Sequence, residues 1–216
     1  MSAAGVLLGP AMVALGRRRR HPPGSIIFFE GDTAGEVLFV VEGAVRLECT
    51  VGDRARMVEL LVAGESLGEA GVLSGAGRSA IAIAANRVEL LAIDSATFTE
   101  LLAARPELTT ELLATISRRL VRTSRRHAEL GSTDGLGRVC GRLVELVERF
   151  GQPCVDGTAI VAPLSQGDIA SWAGLSRETM VKSLATLRHL GWIRTDGRTI
   201  RVVDLDAVRR RTGSPS

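Results

Sequence analysis

The sequence has few of the residues that build metal centres, cross-linked scaffolds or membrane spans. Its three cysteines, Cys49, Cys140 and Cys154, are odd in number and far apart. That spacing excludes a disulfide framework, a C-x-x-C pair and a zinc ligand set. No cysteine cluster for an iron–sulfur centre stands near the start, and no axial ligands for a haem are visible. The expectation is therefore no metal, no haem and no iron–sulfur cluster. Lys182 is the only lysine, and the matching surplus of Arg, Ala and Gly points to a GC-rich genome rather than to a function. No apolar run approaches the length of a membrane span. The apolar stretch Gly5–Leu15 contains Gly9-Pro10 and is followed, not preceded, by Arg17–Arg20, the wrong order for a secretory signal. A cytoplasmic protein without membrane contact is expected. No catalytic constellation or kinase signature is present, so an enzyme is not expected.

What remains is an ordinary globular balance over 216 residues, 45% hydrophobic and 24% charged, enough for one large or two small domains. The net charge is only +3, but it is unevenly placed. Residues 1–130 hold 15 basic and 15 acidic side chains, whereas Gly131 onward holds 12 and 9. Between Ala170 and Val203 six basic residues face two acidic ones. Such an excess fits a solvated face or a phosphate-backbone footprint equally well.

Residues 18–95 follow strand grammar. The short β-branched or aromatic runs Ser25–Phe29, Glu36–Val41, Ala44–Cys49, Met57–Leu61, Ala80–Ala84 and Arg87–Ile93 are punctuated by turn signals such as Gly31-Asp32 and Gly52-Asp53. That spacing suggests a sandwich or barrel. After Asp94 the pattern becomes helical: a short helix through Ala103, then a long one from Pro106. On it Leu112, Ile116, Leu120, Thr123, His127 and Leu130 recur at spacings of three and four. A helix of about 25 residues spans roughly 37 Å, and a narrow apolar seam of that length suits pairing with a second copy. Packing along its own barrel is the alternative. Leu112, Leu113, Ile116, Leu120, Thr123, His127 and Leu130 are the expected dimer interface. Gly131–Gly137 breaks the pattern and is read as the hinge. A further helix, 136–150, presents Val139, Leu143, Val144 and Val147, and Gly151–Gly157 reads as a loop.

The segment from Ser165 carries a DNA-reading pattern. Ser165-Gln-Gly-Asp168 opens a short helix with a capping box, Asp standing for the usual Glu. Ala173-Gly174-Leu175 permits a tight turn, and Ser176 opens a second helix to about Leu190. The second helix of such a pair enters the major groove and offers its first side chains to base edges. Arg177 suits guanine, Glu178 a cytosine amino group, and Lys182 guanine or phosphate. Trp192–Val203, turning at Asp196-Gly197, reads as a β-hairpin wing.

Ser176-Arg-Glu-Thr179 followed by Met-Val-Lys182 resembles the recognition helix of the cyclic-AMP receptor protein / fumarate-nitrate regulator family, and the hinge Asp134-Gly-Leu-Gly-Arg138 fits it too. The resemblance covers almost the whole chain. It implies an α+β architecture: a cyclic-nucleotide-binding β-barrel (jelly roll) over 1–107, a dimerisation helix and hinge over 108–134, and a winged helix-turn-helix over 135–216. It places Arg177, Glu178 and Lys182 on the bases of a TGTGA-type half-site, with Ser165, Ser176 and Thr179 at phosphates and Gln166 beside them. The family's best-known member has arginine at the Lys182 position. Ser183 stands where an apolar residue is usual.

The second motif is Leu67–Ala80. Gly68 allows close backbone approach, Glu69 can accept from a ribose hydroxyl, and Arg78 and Ser79 can grip an anionic phosphodiester. By itself such a Gly-rich loop is equally a solvated turn. It resembles the family's phosphate-binding cassette, shorter by one residue than in the best-known member. The resemblance implies Glu69 on the 2′-hydroxyl, Arg78 and Ser79 on the cyclic phosphate, and the Gly68 and Ala70 amides nearby. Thr123 and Ser124 match the pair that meets the adenine, the second from the partner subunit. The expected function is a homodimeric transcription regulator that binds a near-palindromic DNA site under control of cyclic AMP and works with RNA polymerase. A regulator that binds DNA without a nucleotide, or that senses cyclic GMP or cyclic di-GMP, is the alternative. A regulatory module of an enzyme is a third.

Overall fold

The computed structural model describes residues 10–197 and 199–212. By compactness the chain divides between Thr123 and Ser124.

In the first unit a short helix α1 (Pro10–Leu15) precedes eight strands: β1 (Arg17–His21), β2 (Ile26–Phe28), β3 (Glu36–Glu42), β4 (Ala44–Val51), β5 (Arg54–Val62), β6 (Ser66–Leu67), β7 (Ile81–Ala84) and β8 (Val88–Asp94). The helix α2 (Glu69–Ser74) stands between β6 and β7, and α3 (Ser95–Ala104) and α4 (Pro106–Ser132) follow β8. The strands form two four-stranded antiparallel sheets, ordered β1-β8-β3-β6 and β2-β7-β4-β5. Consecutive side chains on a strand point to opposite faces, and β3 and β8 bury both. Leu38, Val40, Leu90 and Ala92 join the cluster that also takes Val45, Leu61, Leu67 and Ala82 from other strands. Val37, Phe39, Leu91 and Ile93 join a second cluster with Met12, Phe98, Leu101, Leu108 and Leu112. Two buried faces explain why these strands read as unbroken apolar runs. A fully buried Phe39 or Leu91 contributes about 2–3 kcal/mol. Leu112, expected on the dimer face, is instead 2% exposed and belongs to the barrel's own core.

The arginine run Arg17–Arg20 lies on β1. Arg18 and Arg20 both pair with Glu89 on the neighbouring β8, and Arg19 grips Glu36 through two bonds of 2.6 and 2.8 Å. The run holds a sheet edge in register.

α4 is a single 27-residue helix. Gly131 lies inside it, so the chain breaks only at Thr133-Asp134. In the second unit α5 (Gly135–Phe150) is capped by Asp134, which accepts from Gly137 N at 2.9 Å. Its buried face is Val139, Cys140, Leu143 and Leu146. Val144 and Val147 are only half-buried, a shift of the predicted face. Residues 151–157, read as a loop, instead supply β9 (Gly151–Cys154), which pairs with β10 (Gly157–Ile160). With β11 (Ile193–Asp196) and β12 (Thr199–Val202) they form a sheet ordered β11-β12-β10-β9. The helices α6 (Gln166–Trp172) and α7 (Arg177–His189) stand between, and α8 (Leu205–Arg211) closes the unit. The α+β architecture expected from the sequence is what the chain adopts.

Candidate functional sites: a nucleotide pocket and a DNA-reading surface

The first site is built where β6 gives way to α2. Gly68 caps α2 with φ +80°, a left-handed conformation that favours glycine. A Cβ there would stand 1.9 Å from Nη1 of Arg78, so glycine leaves the space the guanidinium fills. α2 begins at Glu69, and the first amides of a helix have no intrahelical acceptor. Arg78 is held from several sides. Its own backbone N–H donates to Asp32 O at 2.8 Å, and its carbonyl accepts from Gly31 N at 2.9 Å. Its Nη1 donates to Gly68 O at 3.1 Å, and the guanidinium lies 4.4 Å from the Phe28 ring centroid.

These groups line a cavity of about 50 Å³ with Phe28, Leu47, Gly71, Ala80 and Arg119. Glu69 is 3% exposed and Arg78 6%. Burial pulls the Arg78 pKa below its ordinary value, while Glu36, Asp32 and Glu69 oppose that shift. Among the described residues lining the cavity, three buried polar atoms have no partner: Glu69 Oε2, Arg78 Nε and Arg119 Nε, of which the first two belong to the cassette. A buried acceptor and a buried donor left unpaired are costly, and a ligand bearing a hydroxyl and an anionic oxygen would satisfy both.

All five residues expected in the cassette (Gly68, Glu69, Ala70, Arg78 and Ser79) line this cavity. Ser79 is exposed, and its carbonyl accepts from the Cys49 thiol at 3.5 Å. Arg119 on α4, which the sequence motifs do not single out, also lines the cavity. It donates to Glu69 Oε1 and to Ser66 O, each at 2.7 Å. Its position one helical turn before Thr123 was the available signal. Thr123 is half-buried and Ser124 exposed; neither lines the cavity.

The second site is the pair α6 and α7. The Ser165 capping box is complete: Ser165 N donates to Asp168 Oδ2 at 2.7 Å, and Asp168 N donates to Ser165 Oγ at 3.1 Å. Gly174 makes the turn with φ +66°, closed by Leu175 N donating to Ala170 O at 2.9 Å. Ile169, Ala170, Ala173 and Met180 are buried where the helices meet, and Leu175 is half-buried. Ser176 caps α7 through Thr179 N, and its hydroxyl lies 2.9 Å from that of Thr179. Ser176, Arg177, Glu178 and Lys182 are exposed, whereas Thr179, Ser165 and Gln166 are half-buried. Glu178 and Lys182 pair at 2.6 Å with 77% and 75% of their side chains exposed. Such a surface pair is worth only about 0.3–0.5 kcal/mol, so both groups exchange it readily for a stronger partner. Ser183 is buried at 6% exposed. In the adjoining sheet Arg194 is tied to Asp156 at 2.5 Å, linking β11 to the turn between β9 and β10.

Of the expected dimer residues, Leu113, Leu120 and Leu130 are 58%, 64% and 51% exposed. His127 is exposed, and Ile116 and Thr123 are half-buried, Ile116 against the barrel core. Among the described residues no group of three or more His, Cys, Asp or Glu side chains could hold a metal ion, and no helix is long and apolar enough to cross a membrane.

Each of the two sites falls within a stretch of the chain that matches a known domain. The cyclic nucleotide-binding domain model matches residues 18–105, and the Crp-like helix-turn-helix domain model matches residues 137–211. The CRP-like cAMP-activated global transcriptional regulator of Mycobacterium tuberculosis is 30% identical over 98% of this chain and 97% of its own length. Among solved structures, FixK2 from Bradyrhizobium japonicum matches with a TM-score of 0.82 at 21% identity, over 93% of this chain and 99% of that one. The c-di-GMP responsive global regulator CLP of Xanthomonas campestris matches with a TM-score of 0.78 at 25% identity, over 88% and 95%. The chain therefore belongs to the cyclic-AMP receptor protein / fumarate-nitrate regulator (Crp/Fnr) family of transcription regulators, which join a cyclic-nucleotide-binding domain to a DNA-binding helix-turn-helix.

Proposed function

We propose that this protein is a cytoplasmic homodimer whose affinity for a near-palindromic operator is set by cyclic AMP bound in the barrel. The observation that carries the proposal is the pair of orphaned, buried atoms in the cavity, Glu69 Oε2 and Arg78 Nε. Glu69 accepts from the ribose 2′-hydroxyl while its other oxygen stays on Arg119. Arg78 and Ser79 take the cyclic phosphate, helped by the Gly68 and Ala70 amides. Thr123 and Ser124 favour adenine, and the M. tuberculosis relative is named for activation by cAMP.

Leu113, Leu120 and His127 fall seven residues apart on α4, as do Ile116, Thr123 and Leu130. That heptad is the seam along which two copies pair, and three of its leucines are more than half exposed in one chain. Pairing sets two copies of α7 one DNA turn apart. Arg177, Glu178 and Lys182 then read bases, and Ser165, Gln166, Ser176 and Thr179 hold phosphates. RNA polymerase is the partner at the promoter.

A cyclic dinucleotide is the second reading, because one structural relative is described as responsive to c-di-GMP. Calorimetry of the purified dimer with cyclic AMP, cyclic GMP and cyclic di-GMP decides between them. Cyclic AMP is expected to bind at least about tenfold more tightly than the others; preference for either of the others would replace it.

A further inference from the structure

The end of α4 is fastened to α6 through a buried arginine. Arg142 on α5 is 3% exposed. Its Nη2 donates to Glu129 Oε2 of α4 at 2.8 Å, and its Nη1 lies 3.3 Å from Glu145 Oε2. Its guanidinium is also 5.4 Å from the ring centroid of Trp172, the last residue of α6. A second guanidinium, Arg126 of α4, lies 5.5 Å from the same ring. Trp172 is 6% exposed and immediately precedes the turn of the helix-turn-helix.

A cation taken out of water and shared between carboxylates and an aromatic face has few alternative arrangements of similar energy. A turn of α4 that moves Glu129 must either break the Arg142 pair or carry Trp172 with it. We propose that Glu129, Arg142 and Trp172 are positioning residues that convey the orientation of the last turns of α4 to the DNA-reading helix pair. The inference deepens the nucleotide-gated reading: Arg119, which binds Glu69 in the pocket, sits on the same continuous helix ten residues before Glu129.

The test uses the full-length protein and the variants Glu129→Gln, Trp172→Leu and Trp172→Phe. Three quantities are measured: cyclic AMP affinity without DNA, affinity for a duplex carrying two inverted TGTGA half-sites with and without saturating cyclic AMP, and melting temperature. Glu129→Gln and Trp172→Leu are expected to leave cyclic AMP affinity within twofold. Both should shrink the nucleotide-dependent gain in DNA affinity at least tenfold, and Trp172→Phe, which keeps an aromatic face, should recover most of it. In a Trp192→Phe background the Trp172 emission should shift on adding cyclic AMP, and that shift should vanish with Glu129→Gln. An unchanged gain in both variants overturns the proposal. So does a loss of melting temperature with the gain intact. If the parent protein shows no nucleotide-dependent gain, the gating reading has failed separately. The nucleotide-free DNA affinity then decides: an approximately tenfold loss in Glu129→Gln and Trp172→Leu, rescued in Trp172→Phe, keeps the positioning role, and no loss removes it.

Discussion

The cavity in the barrel and the surface of α7 solve opposite problems with similar side chains. Glu69 and Arg78 are at least nine-tenths buried, and each keeps a polar atom without a partner. Glu178 and Lys182 are about three-quarters exposed and already satisfied by each other. A small ligand can be gripped only where water has been removed beforehand, so its site carries the cost of desolvation in the empty protein. A DNA duplex brings its own charge and must find groups that reach outward, so its site pays little while waiting. The same pair of charges therefore means different things in the two regions: poised and strained in one, solvated and exchangeable in the other.

The contrast can be broken most severely at the buried end. Arg78→Gln removes a charge-assisted contact from a desolvated site, where such bonds contribute about 1.5–3 kcal/mol each. Calorimetry should record a loss of about a hundredfold in cyclic AMP affinity. DNA affinity in the absence of nucleotide should stay within a few-fold. Next comes Arg177→Ala at the exposed end. A lost bidentate base contact costs about 1–3 kcal/mol and relaxes specificity at one base pair, read as a ten- to hundredfold weaker operator shift with nucleotide affinity intact.

Gly68→Ala sharpens the comparison. The new Cβ collides with the end of the Arg78 side chain, which can swing away, and the φ of +80° adds about 1 kcal/mol of strain. Nucleotide affinity should fall roughly tenfold while the melting temperature drops only a few degrees. The smallest effect concerns the joint before α5. Hydrogen bonding from Gly137 N, then from Arg211, lowers the pKa of Asp134 below its ordinary 3.8. A lowered folded-state pKa gives stability that is present above the unfolded value and lost as pH falls through the folded one. Asp134→Asn keeps a capping oxygen but not the charge, so its melting temperature should sit slightly below wild type at pH 7. That gap should narrow as the pH falls below 3.8 and close once it has passed through the lowered folded-state pKa.

The two regions were also unequally legible in the sequence. The reading surface is assembled from neighbours in the chain. Ser165 with Asp168, the turn at Gly174 and Ser176 with Thr179 are contacts five residues apart or fewer, which capping chemistry and turn geometry disclose. The pocket closes over long separations. Glu69 meets Arg119 across 50 positions, and no local pattern announces that meeting. Glu69, Arg78 and Ser79 were reached by resemblance to a known cassette, whereas Phe28 and Arg119 needed the folded chain. Leu112 went astray because a helix with apolar positions at both 112 and 113 does not reveal which of them faces its own barrel. β9 went astray because Gln152-Pro153-Cys154 has loop composition, and its pairing with β10 supplies what propensity does not.

The central claim is that a ligand in the barrel governs the grip of α7 on DNA, and one titration tests it most directly. Affinity for a duplex with two inverted TGTGA half-sites is measured for the full-length protein as cyclic AMP is raised from zero to saturation. The account predicts that operator affinity rises at least tenfold, with a midpoint at the calorimetric dissociation constant, and that Arg78→Gln shifts that midpoint about a hundredfold upward. Operator affinity that stays flat across the titration, equal in the parent protein and in Arg78→Gln, would contradict it.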